Sequence, residues 1–553
     1  MKILILGGYG VFGGRLAQLL GDIDNLEILI GGRNLSKAVD FCATYRGKSK
    51  VRPLKSDRDQ IDSLLQTEQP ELLVDASGPF QNYGPKPYGV IEACITHGVN
   101  YVDFSDSSDF VLGVSQYDAA ANAAGIFVLS GVSSFPVLTA AVLREMAKTM
   151  DIISVRGGIA PSPFAGIGLN VMRAVVGYAG EPVKLWRNGK QAHAPGLTES
   201  MRYTIAAPGK LPLKNIHFSL VDVPDLQVIP PEHPSLQNIW MGAGPVPEIL
   251  HRVLNVLAKV RSRFPLPSLV PLSRLFYTAL NVMKFGEHRG GMFVHAIGTR
   301  NEQKTEQSWH LLAEGDDGPY IPSMAIEIII RKLLSGIRPA TGARPATRAL
   351  ELADYEQIFS TRSIFAGFRG AETQTDPVYK QVLGPRFETL PETVKALHDS
   401  QQARSWQGSA TVKRGRSAFA RLICKFMKFP QGSDGVPVQV VITPGHNCEL
   451  WTRTFGQTTF SSRQSVGSGR NKYLVLERFG ATVVALACVV EDDKLYLVPR
   501  RWSLFGIPFP VWLLGKEESF EMEQNGNFCF HVNISLRGIG LIVSYQGHLR
   551  PTR

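Results

Sequence analysis

Short apolar runs alternate with helical stretches through the first 130 residues. The runs have the length of buried parallel strands, and the segments between them have helical spacing. The apolar runs are 2–6, 26–30, 51–54, 71–80, 100–104 and 126–130. Strands that alternate with helices at this interval predict a doubly wound parallel sheet over residues 1–130.

Residues 131–360 lose this alternation. Strand-like runs lie among helical stretches at 152–155, 216–221, 292–297 and 309–314. The mixture predicts an α+β substrate domain inserted into the first domain, and we expect the helix at 324–334 to pack back on the parallel sheet. Residues 361–376 lack periodicity and are interpreted as a linker.

Residues 377–553 are rich in strands. After a helix predicted at 379–398, most segments alternate apolar and polar residues, as half-buried antiparallel strands do. The segments are 406–412, 438–442, 449–455, 473–479, 482–490, 495–498, 528–534 and 541–545. A basic helix at 417–427 interrupts them. About eight or more such strands predict a curved sheet or a barrel that encloses a ligand.

Composition narrows the class of protein. The chain has 553 residues, which is too many for a single hydrophobic core. Its net charge of +11 is compatible with binding to an anionic membrane, an acidic ligand or nucleic acid, or with a solvated basic surface that binds none of them. Its basic cluster lacks a nucleic-acid motif, so we expect no nucleic-acid partner. Six scattered cysteines without metal-ligand spacing predict a reducing compartment and no metal. With no signal peptide or membrane-spanning run, a cytoplasmic location is expected.

A glycine-rich loop follows the first strand. Gly8, Gly10 and Gly13 fit G-x-G-x-x-G between a strand and a helix. In this pattern Gly8 permits the tight turn, Gly10 lets the backbone approach a pyrophosphate, and Gly13 allows close helix packing. The helix N-terminus then offers free N–H groups to the phosphates, so Tyr9, Val11 and Phe12 are also predicted contacts. We therefore predict an α/β fold with a Rossmann-type parallel sheet, an inserted α+β domain and a strand-rich antiparallel domain.

The end of the second strand indicates which dinucleotide binds. NAD sites usually carry Asp or Glu about 20 residues beyond the loop, whereas this chain has Arg33. A guanidinium beside hydroxyl and ammonium groups suits a 2′-phosphate, so NADP(H) is the predicted cofactor. The predicted contacts here are Arg33, Asn34, Ser36 and Lys37, with Asp57 near the adenine. The alternative is a surface arginine at a strand end.

The turn after the fourth strand is expected near the nicotinamide. Ser77, Gly78 and Pro79 are small enough for close approach to the cofactor. Tyr83 and Lys86 follow and are the candidate catalytic pair, a phenol assisted by an ammonium group. Packing of Tyr83 within the loop is the alternative. Ser133 and Ser134, after the last strand, are candidate substrate contacts.

Four ordered motifs carry a family resemblance. GGYGVFG, VDASGPFQNYG at 74–84, VNYVDFSD at 99–106 and VLSGVSSFPV at 128–137 together resemble the saccharopine dehydrogenase-like oxidoreductases. The resemblance covers about residues 1–365 and implies nicotinamide-dependent hydride transfer. Many relatives have a Gly-Glu pair where this chain has Ser105-Asp106-Ser107, so that acid's role is not carried over.

The strand-rich part resembles a bacterial domain of unknown function that is often fused behind such oxidoreductases. Its motifs include ELWTRTFG at 449–456 and YQGHL at 545–549. The apolar segment 502–514 is interpreted as the cap of a lipid-like cavity. Glu449, Arg453, Glu477 and Arg478 are its polar anchors or, alternatively, ordinary cross-strand ion pairs.

Residues 249–286 contain six basic residues and no acidic ones among many apolar side chains. The segment is typical either of a peripheral membrane contact or of an amphipathic helical pair packed on its domain. We expect an NADPH-dependent oxidoreductase that transfers hydride to a C–N, C=O or C=C bond of an unknown, lipid-like substrate. The alternative is a non-catalytic nucleotide-sensing or lipid-binding protein at a membrane surface. A homodimer is left open.

Overall fold

The computed structural model describes residues 1–166, 168–264, 266–370, 375–399, 401–515 and 517–552, and leaves the side chain of Asn82 undescribed. The chain divides into two compact units. The first unit holds residues 1–202 and 216–365, and the second holds 203–215 and 366–553. The predicted domain borders stay predictions, and part of the predicted linker, 371–374, lies outside the described residues.

The N-terminal part of the first unit is a parallel sheet with helices between its strands. Its strands are β1 (Lys2–Leu6), β2 (Glu27–Gly32), β3 (Lys50–Lys55), β4 (Leu72–Asp75), β5 (Asn100–Asp103) and β6 (Phe127–Ser130). Its helices are α1 (Val11–Leu19), α2 (Leu35–Thr44), α3 (Ile61–Glu68), α4 (Gly89–His97), α5 (Ser108–Gly113) and α6 (Asp118–Ala123). The runs that predicted these strands are almost wholly buried in β1, β4, β5 and β6, which confirms the predicted class.

A second, mixed sheet fills the inserted part. The elements are α7 (Thr139–Ala147), β7 (Asp151–Ala160), α8 (Leu169–Gly177), β8 (Pro182–Arg187), β9 (Lys190–Pro195), β10 (Ser200–Tyr203), β11 (Ile216–Leu220), α9 (Asp225–Val228), β12 (Asn238–Ala243), α10 (Glu248–Arg261), α11 (Ser273–Val282), β13 (Arg289–Arg300) and β14 (Gln303–Glu314). Within it β7 pairs in parallel with β12 and antiparallel with β13.

The chain then returns to the parallel sheet. The returning elements are α12 (Ile321–Leu334), β15 (Gly342–Pro345) and α13 (Leu352–Phe359). The next strand, β16 (Ile364–Arg369), pairs with β14 in the mixed sheet instead. Helix α12 packs against α1, where the Ser323 hydroxyl donates to the Phe12 carbonyl, as the sequence predicts for this helix. Strand β15 pairs in parallel with β6 and completes the order β15-β6-β5-β4-β1-β2-β3. Strand β15 was not predicted, because Gly-Ala-Arg-Pro is not an apolar run.

The second unit is a closed barrel with helices at its ends. Its elements are α14 (Val378–Leu383), α15 (Glu392–His398), β17 (Arg404–Arg414), α16 (Ala418–Phe426), β18 (Ser433–Gly445), β19 (Cys448–Phe455), β20 (Thr458–Val466), β21 (Val475–Phe479), β22 (Thr482–Glu491), β23 (Lys494–Leu504), β24 (Ile507–Phe509), β25 (Phe520–Gln524), β26 (Asn527–Leu536) and β27 (Gly540–Pro551). Ten antiparallel strands run β22-β21-β20-β19-β18-β17-β27-β26-β25-β23, and pairing of β22 with β23 closes the ring.

One helix prediction in the second unit is wrong. The single helix expected at 379–398 is two helices, α14 and α15, because Gly384 takes a positive φ of 61° and Pro385 and Pro391 interrupt the helical hydrogen bonds. The basic helix predicted at 417–427 is confirmed as α16.

Among the residues that the structure describes, no helix is both long enough and apolar enough to cross a membrane.

Candidate functional site

The glycine loop closes tightly between β1 and α1. Gly7 carries the left-handed φ of +76°, and a Cβ there would lie 2.6 Å from the Ala76 carbonyl oxygen. The motif predicts Gly8 as the residue of the tight turn, but the structure places Gly7 there. A Cβ on Gly8 would instead crowd Ile5 and Ile30. A Cβ on Gly13 would lie 2.5 Å from the Gly7 carbonyl oxygen. Only glycines let this helix start so close to the strand.

The start of α1 is arranged to receive phosphates. Gly10 N donates to the Gly7 carbonyl at 2.8 Å, and Gly14 N donates to the Gly10 carbonyl at 2.8 Å as the first helical bond. The amides of Val11, Phe12 and Gly13 precede that bond at the positive end of the helix. Such amides are suited to bind the pyrophosphate of a dinucleotide.

The predicted 2′-phosphate contacts come together at the start of α2. Asn34 caps this helix by accepting from Lys37 N at 3.2 Å, and its own backbone N donates to the Tyr9 hydroxyl at 3.2 Å. Arg33, Ser36 and Lys37 are exposed around this cap. The site therefore offers a helix N-terminus and two cations to an anion.

Asp57 lies beyond β3, where an adenine would be expected. Its carboxylate caps a short 3₁₀ turn by accepting from Asp59 N at 3.2 Å. The residue is exposed, so it remains accessible from solvent while holding this turn.

The predicted catalytic tyrosine lies in a buried hydrogen-bond cluster. Tyr83 is 9% exposed, and its hydroxyl lies 3.2 Å from both carboxyl oxygens of Asp75 and 2.9 Å from Ser77 Oγ. Burial, followed by the charge of Asp75, raises the pKa of this phenol far above its usual value. The guanidinium of Arg58 covers the ring, 3.5 Å from its centroid. These contacts are those of a group that holds the loop after β4.

The other residues of this turn take different positions. Lys86 is exposed, and its carbonyl accepts from Arg58 at 3.2 Å. Gly78 and Pro79 are half-buried, and the Gly78 carbonyl accepts from Asn170 of α8 at 3.0 Å. Ser77 also donates to Asp75 at 2.6 Å. The catalytic roles of Tyr83 and Lys86 stay predictions, and neither residue lines the cavity of this unit.

That cavity, the substrate cavity, opens at the carboxyl ends of the parallel strands. It has a volume of about 360 Å³ and begins at Val11 and Phe12 of the glycine loop. Ser134 and Phe135, after β6, form part of its wall, whereas Ser133 does not. The remaining wall is largely apolar and includes Ile159, Met172, Val175, Leu250, Leu254, Phe276, Leu280 and Met292. A cleft at this edge of an open parallel sheet is the usual binding position in such folds.

Two carboxyl groups interrupt the apolar wall. Asp106, after β5, accepts from Gln81 Nε2 at 3.0 Å, and Asp222 accepts from Ser108 Oγ at 2.7 Å. Burial raises the pKa of both carboxyls. It also raises the pKa of the Tyr178 phenol in the same wall, helped by the charges of Asp222 and Asp106. A raised pKa favours the protonated form of each group, which is the form that donates a proton or a hydrogen bond.

Sequence reasoning did not select these residues. Asp106 was set aside because it departs from the family pattern, and Asp222 and Tyr178 belong to no motif. Only the fold brings the end of β5, the segment after β11 and α8 around one cavity. A usable signal was the position of Asp106 directly beyond a parallel strand, where functional side chains collect.

Helices α10 and α11 form one side of the substrate cavity. Their inner side chains pack with Met172 and Val176, as the amphipathic-pair interpretation expects. Their outer surface is not simply polar. Ile249, Val253, Val256 and Val260 are exposed at helical spacing along α10. An apolar stripe among basic residues is also what an interfacial helix presents.

Family comparisons agree with both parts of the chain. Residues 3–129 match the saccharopine dehydrogenase NADP binding domain, and residues 390–549 match a domain of unknown function (DUF4166). The N-terminal part of the first unit therefore matches a nicotinamide-nucleotide-binding domain of the saccharopine dehydrogenase type, and the barrel matches a domain family of unknown function. This supports an NAD(P)-dependent oxidoreductase. No curated protein matches the chain significantly.

Solved structures show distant likeness. Apo saccharopine dehydrogenase (L-Glu forming) from Saccharomyces cerevisiae is 12% identical over 67% of this chain and 100% of its own, with a TM-score of 0.47. An amine dehydrogenase from Mycobacterium smegmatis is 11% identical over 63% and 95%, with a TM-score of 0.33. A C. glutamicum DAP dehydrogenase in complex with DAP is 13% identical over 63% and 93%, with a TM-score of 0.33.

Proposed function

We propose that this protein is an NADPH-dependent oxidoreductase that reduces a C=N, C=O or C=C bond of an apolar, lipid-like substrate. One observation carries the proposal: the substrate cavity starts at Val11 and Phe12 of the nucleotide loop and continues into an almost wholly apolar space. A hydrocarbon part of the substrate gains free energy in such a space, and its few polar groups can orient the reacting bond.

When bound, NADPH supplies the hydride. Asp106 is then the candidate proton donor, because burial raises the pKa of its carboxyl and so favours the protonated form. Asp106 would give its proton to the atom of the unsaturated bond that does not receive the hydride, and solvent would then reprotonate the Asp106 carboxylate. Gln81 holds the Asp106 side chain in place through the 3.0 Å hydrogen bond.

Preference for NADPH is part of the proposal. Arg33 and Lys37 stand at the N-terminus of α2, where the 2′-phosphate of NADPH is expected. Arg33→Ala should weaken NADPH binding about tenfold or more, measured by nucleotide fluorescence, and leave NADH binding within about twofold. Equal loss for both cofactors contradicts the preference. Arg46→Ala, at an exposed position beyond α2, is the matched control.

The activity itself is tested by isotope transfer. The purified chain is incubated with NADPH deuterated at C4 and a total lipid extract, and products are analysed by mass spectrometry. Deuterium should appear in a lipid-soluble product with the unmodified chain and not with Gly13→Ala, whose Cβ would meet the Gly7 carbonyl. Asp106→Asn should lower the rate about 100-fold while retaining NADPH binding. No transfer by the unmodified chain, or purification with a lipid but without NADP(H) affinity, contradicts the proposal.

We also propose that the outer surface of α10 contacts an anionic membrane, because its exposed valines and Ile249 stand among Arg252, Lys259 and Arg263. Leu250 and Leu254, on the opposite side of this helix, line the substrate cavity.

A further inference from the structure

The second unit contains its own cavity, inside the barrel. This barrel cavity has a volume of about 620 Å³, within the range of about 300–1,000 Å³ common for small-molecule sites. Apolar side chains from most strands line it, among them Val440, Phe455, Val484, Leu486, Phe528 and Val532. Nothing in the proposed reductase reaction uses this space.

The polar groups in the barrel wall bond mainly to one another. Glu477 accepts from Ser462 at 2.7 Å and from Gln464 at 3.0 Å, and Arg453 lies 3.3 Å from it. Glu521 bonds the buried imidazole of His398. Two of the four predicted polar anchors, Arg453 and Glu477, line the cavity, and they form an ion pair with each other. Glu449 does not line it and accepts hydrogen bonds from Val378 N and Trp451. Arg478 does not line it either, and its side chain is exposed. The wall therefore suits a hydrocarbon better than a buried charge.

The two ends of the barrel differ. Successive hairpin connections of an antiparallel barrel lie at alternate ends, so α16, which follows β17, and the 505–519 connection, which follows β23, share one end. Helix α15 precedes β17 and packs on β25 and β26, where Thr393 N donates to Glu523, so it lies at the other end. His398 and Tyr379, stacked 3.7 Å apart, belong to that closed end.

Exposed apolar side chains surround the end that carries α16. We call this set the rim, and it comprises Phe419, Leu422, Phe426, Phe505, Ile507 and Trp512. Leu422, Phe426 and Phe505 also line the barrel cavity, so the rim is continuous with the interior. Such a cluster of exposed aromatic side chains is costly in water unless it meets an apolar partner.

Basic residues accompany the rim. Arg421 and Lys425 are exposed on α16 beside Phe426, with Arg416 and Lys428 at its two ends. The sequence has no Asp or Glu between Asp399 and Asp434. Aromatic and aliphatic side chains interleaved with cations match an anionic lipid surface, whose head groups attract the cations while the apolar groups enter the acyl boundary.

We propose that the barrel binds the acyl chain of a long-chain anionic amphiphile, taken from an anionic membrane on which the rim docks. The hydrocarbon tail occupies the barrel cavity, and the head group stays at the mouth beside Arg421 and Lys425. This orientation follows because the Arg453 cation inside is paired with Glu477, whereas Arg421 and Lys425 are exposed at the mouth.

Ligand binding is tested with cis-parinaric acid, a fluorescent 18-carbon fatty acid, on the full chain. Saturable binding is expected for the unmodified chain, and Val484→Trp, which fills the barrel cavity, should weaken it about tenfold or more. Because the substrate cavity also accepts apolar molecules, a diazirine-labelled palmitate locates the site: crosslinks are expected in 417–430 or 528–549. No saturable binding, or crosslinks confined to 159–176 and 249–286, overturns the proposal.

Docking is tested by co-sedimentation with vesicles of phosphatidylcholine containing phosphatidylglycerol. Phe426→Ser removes a side chain that is 71% exposed and should lower binding about tenfold, and so should Arg421→Glu with Lys425→Glu. Leu450→Ser, 46% exposed near the closed end, and Arg463→Glu, also distant from the rim, are the matched controls. If rim and control variants lower vesicle binding equally, the rim is not the docking surface. The same conclusion follows if Phe426→Ser leaves vesicle binding unchanged but dissociates a concentration-dependent dimer.

Discussion

The aromatic ring of Tyr9 lies directly against the Cα of Gly32, so that a Cβ at position 32 would overlap the ring. The Tyr9 hydroxyl also accepts from Asn34 N at 3.2 Å. One side chain of the glycine loop thus fixes the end of β2, and the loop that binds the pyrophosphate is joined to the residues expected at the 2′-phosphate.

This contact predicts a strong effect of a single methyl group. Gly32→Ala should displace Tyr9 and with it the start of α2, and NADPH binding measured by fluorescence titration should weaken about tenfold or more. Gly89→Ala is the control, because a Cβ there has ordinary contact distance to Lys86 at 3.8 Å. Equal affinities for the two variants would disprove a coupling between the loop and β2.

Tyr83 is predicted to act through stability rather than as a proton donor. Tyr83→Phe leaves Asp75 with fewer hydrogen bonds in a buried position and should lower the free energy of unfolding by about 1–3 kcal/mol in urea titrations. The deuterium transfer rate at saturating NADPH should change less than about threefold, whereas loss of a general acid costs about 100-fold or more. A large rate loss with unchanged stability would restore the catalytic assignment.

Asp225 should make stability depend on pH. Burial raises the pKa of this carboxyl to about 7, more than the hydroxyl of Thr139 lowers it. The unfolded carboxyl titrates near about 3.9, so between the two values the folded state holds the proton more tightly. The contribution of Asp225 to the free energy of unfolding is therefore greatest below about pH 4. It declines as the pH rises from about 4 to about 7 and is constant above that.

Asp225→Asn removes this decline. Its urea-derived free energy of unfolding should fall less between pH 4 and 7 than that of the unmodified chain, by at most about 4 kcal/mol. Asp40→Asn, at an exposed position, is the control and should keep the original slope. A variant with the same slope as the unmodified protein would show that Asp225 ionises normally.

The α10 stripe gives a membrane test in the first unit. Val253→Ser with Val256→Ser should lower co-sedimentation with anionic vesicles about tenfold, because two apolar side chains leave the acyl boundary. Leu112→Ser with Ile337→Ser removes comparable exposed apolar groups elsewhere in the unit. If the two double variants lower vesicle co-sedimentation equally, α10 does not contact the membrane, and its exposed apolar stripe has another role.

Elements with strictly apolar buried faces were predictable from the sequence. All six initial strands of the parallel sheet and most barrel strands follow from such runs. Strands β20 and β25 were missed because polar residues occupy much of their buried faces: Ser462 and Gln464 bond Glu477, and Glu521 bonds His398. Binary patterning fails where a buried polar network replaces an apolar face.

The site was predictable only in its local part. The glycine loop and the α2 start both lie within the first 37 residues, and both follow from the local strand-loop-helix-strand pattern. The substrate cavity joins residues from position 11 to position 322, so its acids and its α10 wall depend on tertiary contacts. The placement of residues 203–215 also depends on tertiary contacts. They belong to the second unit through hydrogen bonds such as that from Val490 N to the Gly209 carbonyl, which no local sequence pattern indicates.

The position of β15 bears on how the nascent protein matures. Until residue 345 leaves the ribosome, β6 has no neighbour on its outer side, and its amide and carbonyl groups stand open to other chains. More than two hundred residues must be synthesised between these two strands. A translation arrest or truncation within that interval would therefore leave an adhesive sheet edge, and such fragments should depend on chaperones to stay unaggregated.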